Sequence, residues 1–218
     1  MGIFLSMSCV ARRSPRQVEH ALKTFAAKKR MEFSPSEDGN EGDFLCLIDS
    51  LQGHVTALYP DNFYFCSDAS EHLSSRLKTS VFAFHIHDGD FWMFELYTKG
   101  RQVDQFNPMP DYWDENLPIE EVAHWRGDPA RVAQYWPGVK EEDLRNYLVR
   151  WDRQDPDPPK AYPEDEHRIG EDMQLFDFMS KLGLDYPYNR EPLIDRGNSE
   201  TKQARRRSFR FKGPQSRP

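Results

Sequence analysis

The chain reads as an α+β protein: a mixed, mainly antiparallel sheet of five or six strands, two helices packed on it, and a helical C-terminal half. Three observations predict this. The densest apolar and aromatic run, Ser80 to Trp113, is broken by Asp88-Gly89 and by Lys99-Gly100. An Asp-Gly pair between runs of aromatic and β-branched residues is the strongest short-range hairpin signal, so the stretch reads as a three-stranded meander. Upstream, Val18, Ala21, Leu22 and Phe25 recur at helical spacing behind Ser14-Pro15, an N-cap followed by proline at the first helical position. Downstream of Pro108 the alternation stops and proline-opened helical segments take over.

The elements follow in order. Residues 3–10 form a first strand, and the first helix runs from Ser14 to about Lys29, its basic end facing the negative end of the helix dipole. A polar loop over 34–42 leads to a strand over 44–49, a Gln52-Gly53 turn and a strand over 54–59 that stops at Pro60. Asp68, with Glu71 three residues on, marks a capping box for a second helix whose Leu73 and Leu77 face inward. The meander covers 81–87, 90–97 and 101–106. A two-residue Asp88-Gly89 turn pairs His87 with Asp90, Ile86 with Phe91, His85 with Trp92 and Phe84 with Met93. One face then carries Val81, Ala83, His85, His87, Asp90, Trp92, Phe94 and Leu96, and the other Phe82, Phe84, Ile86, Phe91, Met93, Glu95 and Tyr97. Both faces are largely apolar, as in central strands covered on both sides. Helices are expected over 117–125, 128–136 and 140–151, the last with Leu144, Tyr147, Leu148 and Trp151 on one stripe. A Pro/Asp linker over 152–159 precedes a final helix over 171–182, with Gly183 as its C-cap residue. Residues 1–190 make one domain, sheet-rich over 1–113 and helical over 114–190, and 191–218 a basic, disordered tail.

Composition bounds the function. Of 218 residues, 38% are hydrophobic and 30% charged, and no apolar run approaches a membrane span, so the expected setting is a soluble, cytoplasmic one. Cys9, Cys46 and Cys66 form no CxxC pair and read as buried thiols in a reducing compartment. The net charge of −7 is uneven: Thr201 to Pro218 holds seven basic residues and no acid, leaving 22 basic and 36 acidic side chains before it. An acidic body repels phosphates and draws basic partners; nucleic acid is not an expected partner except through the 201–218 tail.

Four constellations bear on chemistry. His85, His87 and Asp90 share a predicted face, so two imidazoles and a carboxylate converge as metal ligands, with His124 or Glu166-His167 completing the set. The competing reading stacks His85 on Trp92 with no metal. Glu95 and Asp104 lie opposite one another if Lys99-Gly100 is a two-residue turn, an acidic pair suited to a cation or to acid–base work. The stretch FNPMPDYW, residues 106–113, is a stiff amphipathic loop that offers Tyr112 and Trp113 for recognition or plugs the sheet–helix junction. The acidic loop 152–172, with Glu164, Asp165 and Glu166, steers a basic partner. No GxGxxG, Walker loop, GxSxG or HExxH motif is present, so neither a cofactor nor a covalent nucleophile is expected.

The residues HIHDGDFWMF, FNPMPDYW, HWRGDPARVAQYWPG and MQLFDFMSKLGL resemble an uncharacterised family of bacterial cytoplasmic proteins, over most of residues 1–190. The resemblance carries no assigned activity. In general character such a small acidic protein is similar to immunity proteins that neutralise toxins, a likeness of class. The expected function is therefore non-enzymatic: an immunity-type module binding a basic protein through Tyr112, Trp113, Glu164, Asp165 and Glu166. A metal-dependent hydrolase built on His85, His87 and Asp90 is the alternative, and a nucleic-acid-associated protein acting through the tail a further one.

Overall fold

The meander organises the fold, with β5 (Ser80–His87), β6 (Phe91–Thr98) and β7 (Arg101–Phe106) joined by the two expected turns. A computed structural model describes residues 2–35, 45–50, 52–61, 63–186 and 207–212. Asp88 and Gly89 both take left-handed backbone, φ 51° and 69°, and the Asp90 N–H closes the turn onto the His87 carbonyl at 2.8 Å. Asp90 itself is left out of the ladder. The pairing therefore runs His87–Phe91, Ile86–Trp92, His85–Met93 and Phe84–Phe94, one residue away from the expected register. Each strand alternates as its sequence says, but the β6 sets change places. Trp92, Phe94 and Leu96 join Phe82, Phe84 and Ile86 in one aromatic face, while Met93, Glu95 and Tyr97 join Val81, Ala83 and His85 on the other.

The second turn, Lys99-Gly100, has two residues, yet Glu95 and Asp104 are not opposite. A bulge between Leu96 and Tyr97 sets Asp104 against Leu96 and Glu95 against Gln105. Asp104 is buried and accepts the Asp128 N–H at 2.9 Å, and burial pushes its carboxyl up to about 6.

The remaining strands are β1 (Leu5–Val10), β2 (Glu32–Pro35), β3 (Leu45–Asp49), β4 (Val55–Leu58) and β8 (Arg207–Lys212). All eight form one sheet in the order β2-β8-β3-β4-β1-β5-β6-β7, and every pairing is antiparallel. Five or six strands in a mixed sheet were expected; the difference lies in β2 and β8. Arg207–Lys212, expected to be disordered, fills the gap between β2 and β3, because Phe209 and Phe211 in alternation pack on Phe33 with ring centroids 4.9 and 5.0 Å away. The rest of the tail and most of the polar loop lie outside the described residues.

Two helices cover one face. α1 (Pro15–Lys28) has the predicted Ser14 N-cap, which the structure completes as a capping box with Gln17, and it buries Val18, Ala21, Leu22, Phe25 and Ala26. α2 (Cys66–Leu77) begins before the expected Asp68 cap, because Cys66 and Ala69 are buried against the sheet and the Cys66 thiol donates to the Met7 carbonyl at 3.4 Å. Its N-cap residue, Phe65, makes no capping side-chain hydrogen bond.

The C-terminal half covers the aromatic face with α4 (Pro129–Tyr135) and α5 (Gln174–Lys181), whereas α3 (Ile119–His124) buries no residue. The helix expected over 140–151 is reduced to a 3-10 turn, Glu141–Asp143. Leu144, Tyr147 and Trp151 are still buried, but the Trp151 N–H goes to the Pro108 carbonyl at 3.2 Å and Asn146 Nδ2 to the Ala161 carbonyl at 2.9 Å, which fixes an irregular path in place of a helix. On α5, Phe178 stacks parallel to Phe94 at 5.8 Å and lies 5.0 Å from Trp92. Polar anchors fix the layer: Trp92 Nε1 donates to Gln174 Oε1 at 3.2 Å and Trp136 Nε1 to the Leu182 carbonyl at 2.9 Å. Gly183 ends α5 at φ 68°, a left-handed backbone conformation that favours glycine.

Candidate interaction surface

The end of the sheet carrying the Asp88-Gly89 turn also receives the start of β1 and the chain leaving β7. The loop after β7 is rigid. Asn107 Oδ1 accepts the Met109 N–H at 2.8 Å, the Asn107 N–H reaches the Trp125 carbonyl at 2.9 Å, and Met109 is buried. That brings Tyr112 and Trp113 back over the sheet end. Phe91 is buried beneath them, with centroids 5.1 and 5.6 Å away. The Tyr112 hydroxyl donates to the Asp90 carboxylate, which pushes the phenol's pKa up. The guanidinium of Arg153 lies 5.6 Å over the Tyr112 ring and 3.9 Å from Asp90.

His87 sits in this aromatic group, edge-on to Trp113 at 4.9 Å and to Phe4 at 5.2 Å. Trp113 is 60% exposed and Phe4 55% exposed. So Tyr112 plugs the junction and Trp113 presents a ring to solvent; the two expectations for this loop divide between neighbouring residues. Phe4 falls in the expected first strand over 3–10 but precedes β1, and nothing in its local sequence marks it as exposed.

The expected metal set does not assemble. The Oγ of Ser6 hydrogen bonds His85 Nδ1 at 3.1 Å, His87 is enclosed by rings, and Asp90 is engaged by Tyr112. Because of the changed register, His85 faces Met93, not Trp92. Burial lowers the pKa of His85, and the Glu95 carboxylate partly offsets this. Of the suggested completing groups, His167 Nδ1 lies 3.1 Å from Asp177 Oδ2. Among the described residues no group of three or more His, Cys, Asp or Glu is placed to hold a metal ion. Cys9 and Cys66 are free and buried, and burial pushes the Cys9 thiol up to about 12 and that of Cys66 higher still.

The acidic trio divides as well. Asp165 is 5% exposed and structural: it accepts the Tyr147 hydroxyl at 2.7 Å and the Tyr162 N–H at 2.9 Å. It is withdrawn from any contact surface. Glu164 and Glu166 are exposed, and Glu164 pairs with Lys181 at 2.5 Å, which lowers its pKa. Asp165→Ala leaves the buried Tyr147 hydroxyl without its acceptor, an expected loss of about 1–3 kcal/mol in urea unfolding. Glu166→Lys is expected to change stability by less than about 0.5 kcal/mol.

No family model matches this chain. No curated protein and no solved structure matches it either. Among the described residues no helix is long and apolar enough to cross a membrane.

Proposed function

We propose that the chain is a protein-binding module for a basic partner, of the immunity type, and that it docks through the sheet end around Trp113. The observation that carries this reading is the exposure of Trp113 and Phe4 on either side of His87, held by a pinned loop. Exposed aromatic rings on a rigid frame are the residues that anchor interfaces, because they bury a large area at little entropic cost. Asp88 and Asp90 border the rings, and Glu164 and Glu166 add to an acidic body that speeds encounter with a basic protein.

An immunity role implies a toxin encoded beside the gene, so the test is a calorimetric titration of this protein with that neighbouring basic product. A salt-sensitive complex is expected. Trp113→Ala should weaken it by roughly 30-fold or more, the effect of losing a central anchor. Glu164→Lys with Glu166→Lys should mainly slow association and flatten the salt dependence. No measurable complex with the wild-type protein, or full affinity in Trp113→Ala, rejects the reading.

A further inference from the structure

The part of the sheet face that α2 leaves open carries a second arrangement, beside the aromatic group. β1, β5 and β6 are adjacent, and Ser6 is the direct cross-strand partner of His85. His85 faces Met93, which puts Glu95, two residues on, on the same side as its diagonal neighbour. Ser6 Oγ and His85 Nδ1 are 3.1 Å apart, and Glu95 is held from its far side by the Tyr97 hydroxyl at 2.9 Å. All of Ser6, His85 and Glu95 are half-buried, neither sealed in the core nor free in solvent.

We propose that Ser6, His85 and Glu95 act as nucleophile, general base and positioning carboxylate in the hydrolysis of small carboxylic esters. With the Ser6 hydroxyl donating to Nδ1, the proton of neutral His85 resides on Nε2. Ser6 Oγ attacks the ester carbonyl carbon and passes its proton to Nδ1; the carbonyl π electrons move to oxygen. Collapse expels the alkoxide, which takes that proton and leaves as the alcohol. Water then adds to the acyl-Ser6, gives a proton to Nδ1, and the acid departs as Ser6 Oγ is reprotonated. Glu95 stabilises the imidazolium formed in each half. The start of α2 supplies the remaining element: it is a 12-residue helix with no capping side chain, and the Cys66 thiol bonded to the Met7 carbonyl brings its first turn to the residue after Ser6. Its leading N–H groups have no intrahelical acceptor and suit the oxyanion. Half-buried Met93 and exposed Phe4 offer an apolar rest for a short acyl chain. Burial keeps His85 neutral at pH 7, as a base must be. Glu95 is the charged group facing it, and Tyr97 and Cys66 beside Glu95 stay neutral because burial raises both.

The test uses the full chain with a fluorophosphonate probe and with p-nitrophenyl acetate. A single phosphonyl adduct on the peptide containing Ser6 is expected, with a burst of about one equivalent of p-nitrophenol. Ser6→Ala should abolish both. Glu95→Gln should move the acidic limb of the rate profile to lower pH, since His85 loses the charge that raises its proton affinity; a merely structural role would leave that limb in place. Folded wild-type protein that gives no adduct, or an adduct elsewhere, overturns the proposal without recourse to any variant.

Discussion

Phe178→Ala is expected to lower the unfolding free energy by about 3–5 kcal/mol, the range for truncating a fully buried phenylalanine. Phe178 is the residue through which α5 grips the sheet: its ring centroid lies 5.0 Å from Trp92, 5.8 Å from Phe94, 6.1 Å from Phe84 and 5.5 Å from Tyr147. Each of these side chains is itself completely buried, so neighbours have no route by which to collapse into the space. For a chain of this length the loss corresponds to a fall in Tm on the order of 10 °C. Trp113→Ala, by contrast, removes a largely exposed ring and should leave Tm within a degree or two. A loss below about 1 kcal/mol for Phe178→Ala would show that the C-terminal half is not bonded to the sheet through this contact.

The second large effect is in pH. His54 is 1% exposed, accepts the Arg12 N–H at Nδ1 and lies tilted against the Trp136 ring at 5.0 Å. Burial, and then the Arg12 charge, push it down to about 4. The unfolded chain, with an ordinary histidine near 6.5, binds the proton more readily between pH 4 and 6.5. His54 therefore costs the fold about 3 kcal/mol as pH falls through that window. Asp104 acts in the opposite sense. Its carboxyl is raised to about 6, so the folded state holds the extra proton between about pH 4 and 6, and about 3 kcal/mol is lost as pH rises through the window. The two slopes nearly cancel in the wild-type protein. Asp104→Asn keeps an oxygen to accept the Asp128 N–H and removes one slope; urea midpoints for this variant should fall steadily from pH 6.5 to 4. His54→Asn should show the reverse trend. An Asp104→Asn variant whose urea midpoints follow the same pH dependence as the wild type would sink this account.

Much of the fold is legible along the chain because the signals are local. Ser14-Pro15 starts a helix whatever surrounds it, Gly183 stops one, and period-two alternation in 80–87 and 91–98 specifies which residues of each strand share a side. The candidate site was legible in part: FNPMPDYW announced itself by composition, and Trp113 does face solvent. Phe4 and Ser6 carried no mark, since an apolar strand looks alike where a helix covers it and where the helix has ended. Asp165 looked like one of three equivalent surface acids until Tyr147 and Tyr162 enclosed it. The 140–151 stripe had helical spacing, yet its buried side chains are reached by an irregular path because Pro108 and Ala161 take the hydrogen bonds.

Local residue preferences suffice for the set of elements and the alternation within each one. The register between neighbouring strands depends on packing across the whole fold. An Asp-Gly corner can be followed by zero or one unpaired residue at similar local cost. The choice falls to the C-terminal half, which needs Trp92, Phe94 and Leu96 on the same face as Phe82 and Phe84 to bury its own Phe178 and Trp136. Leaving Asp90 unpaired achieves this, and the same slip puts Glu95 on the face of His85, while the β1–β5 register sets Ser6 across from it. That row joins residues 79 apart in the chain, and no local preference specifies it.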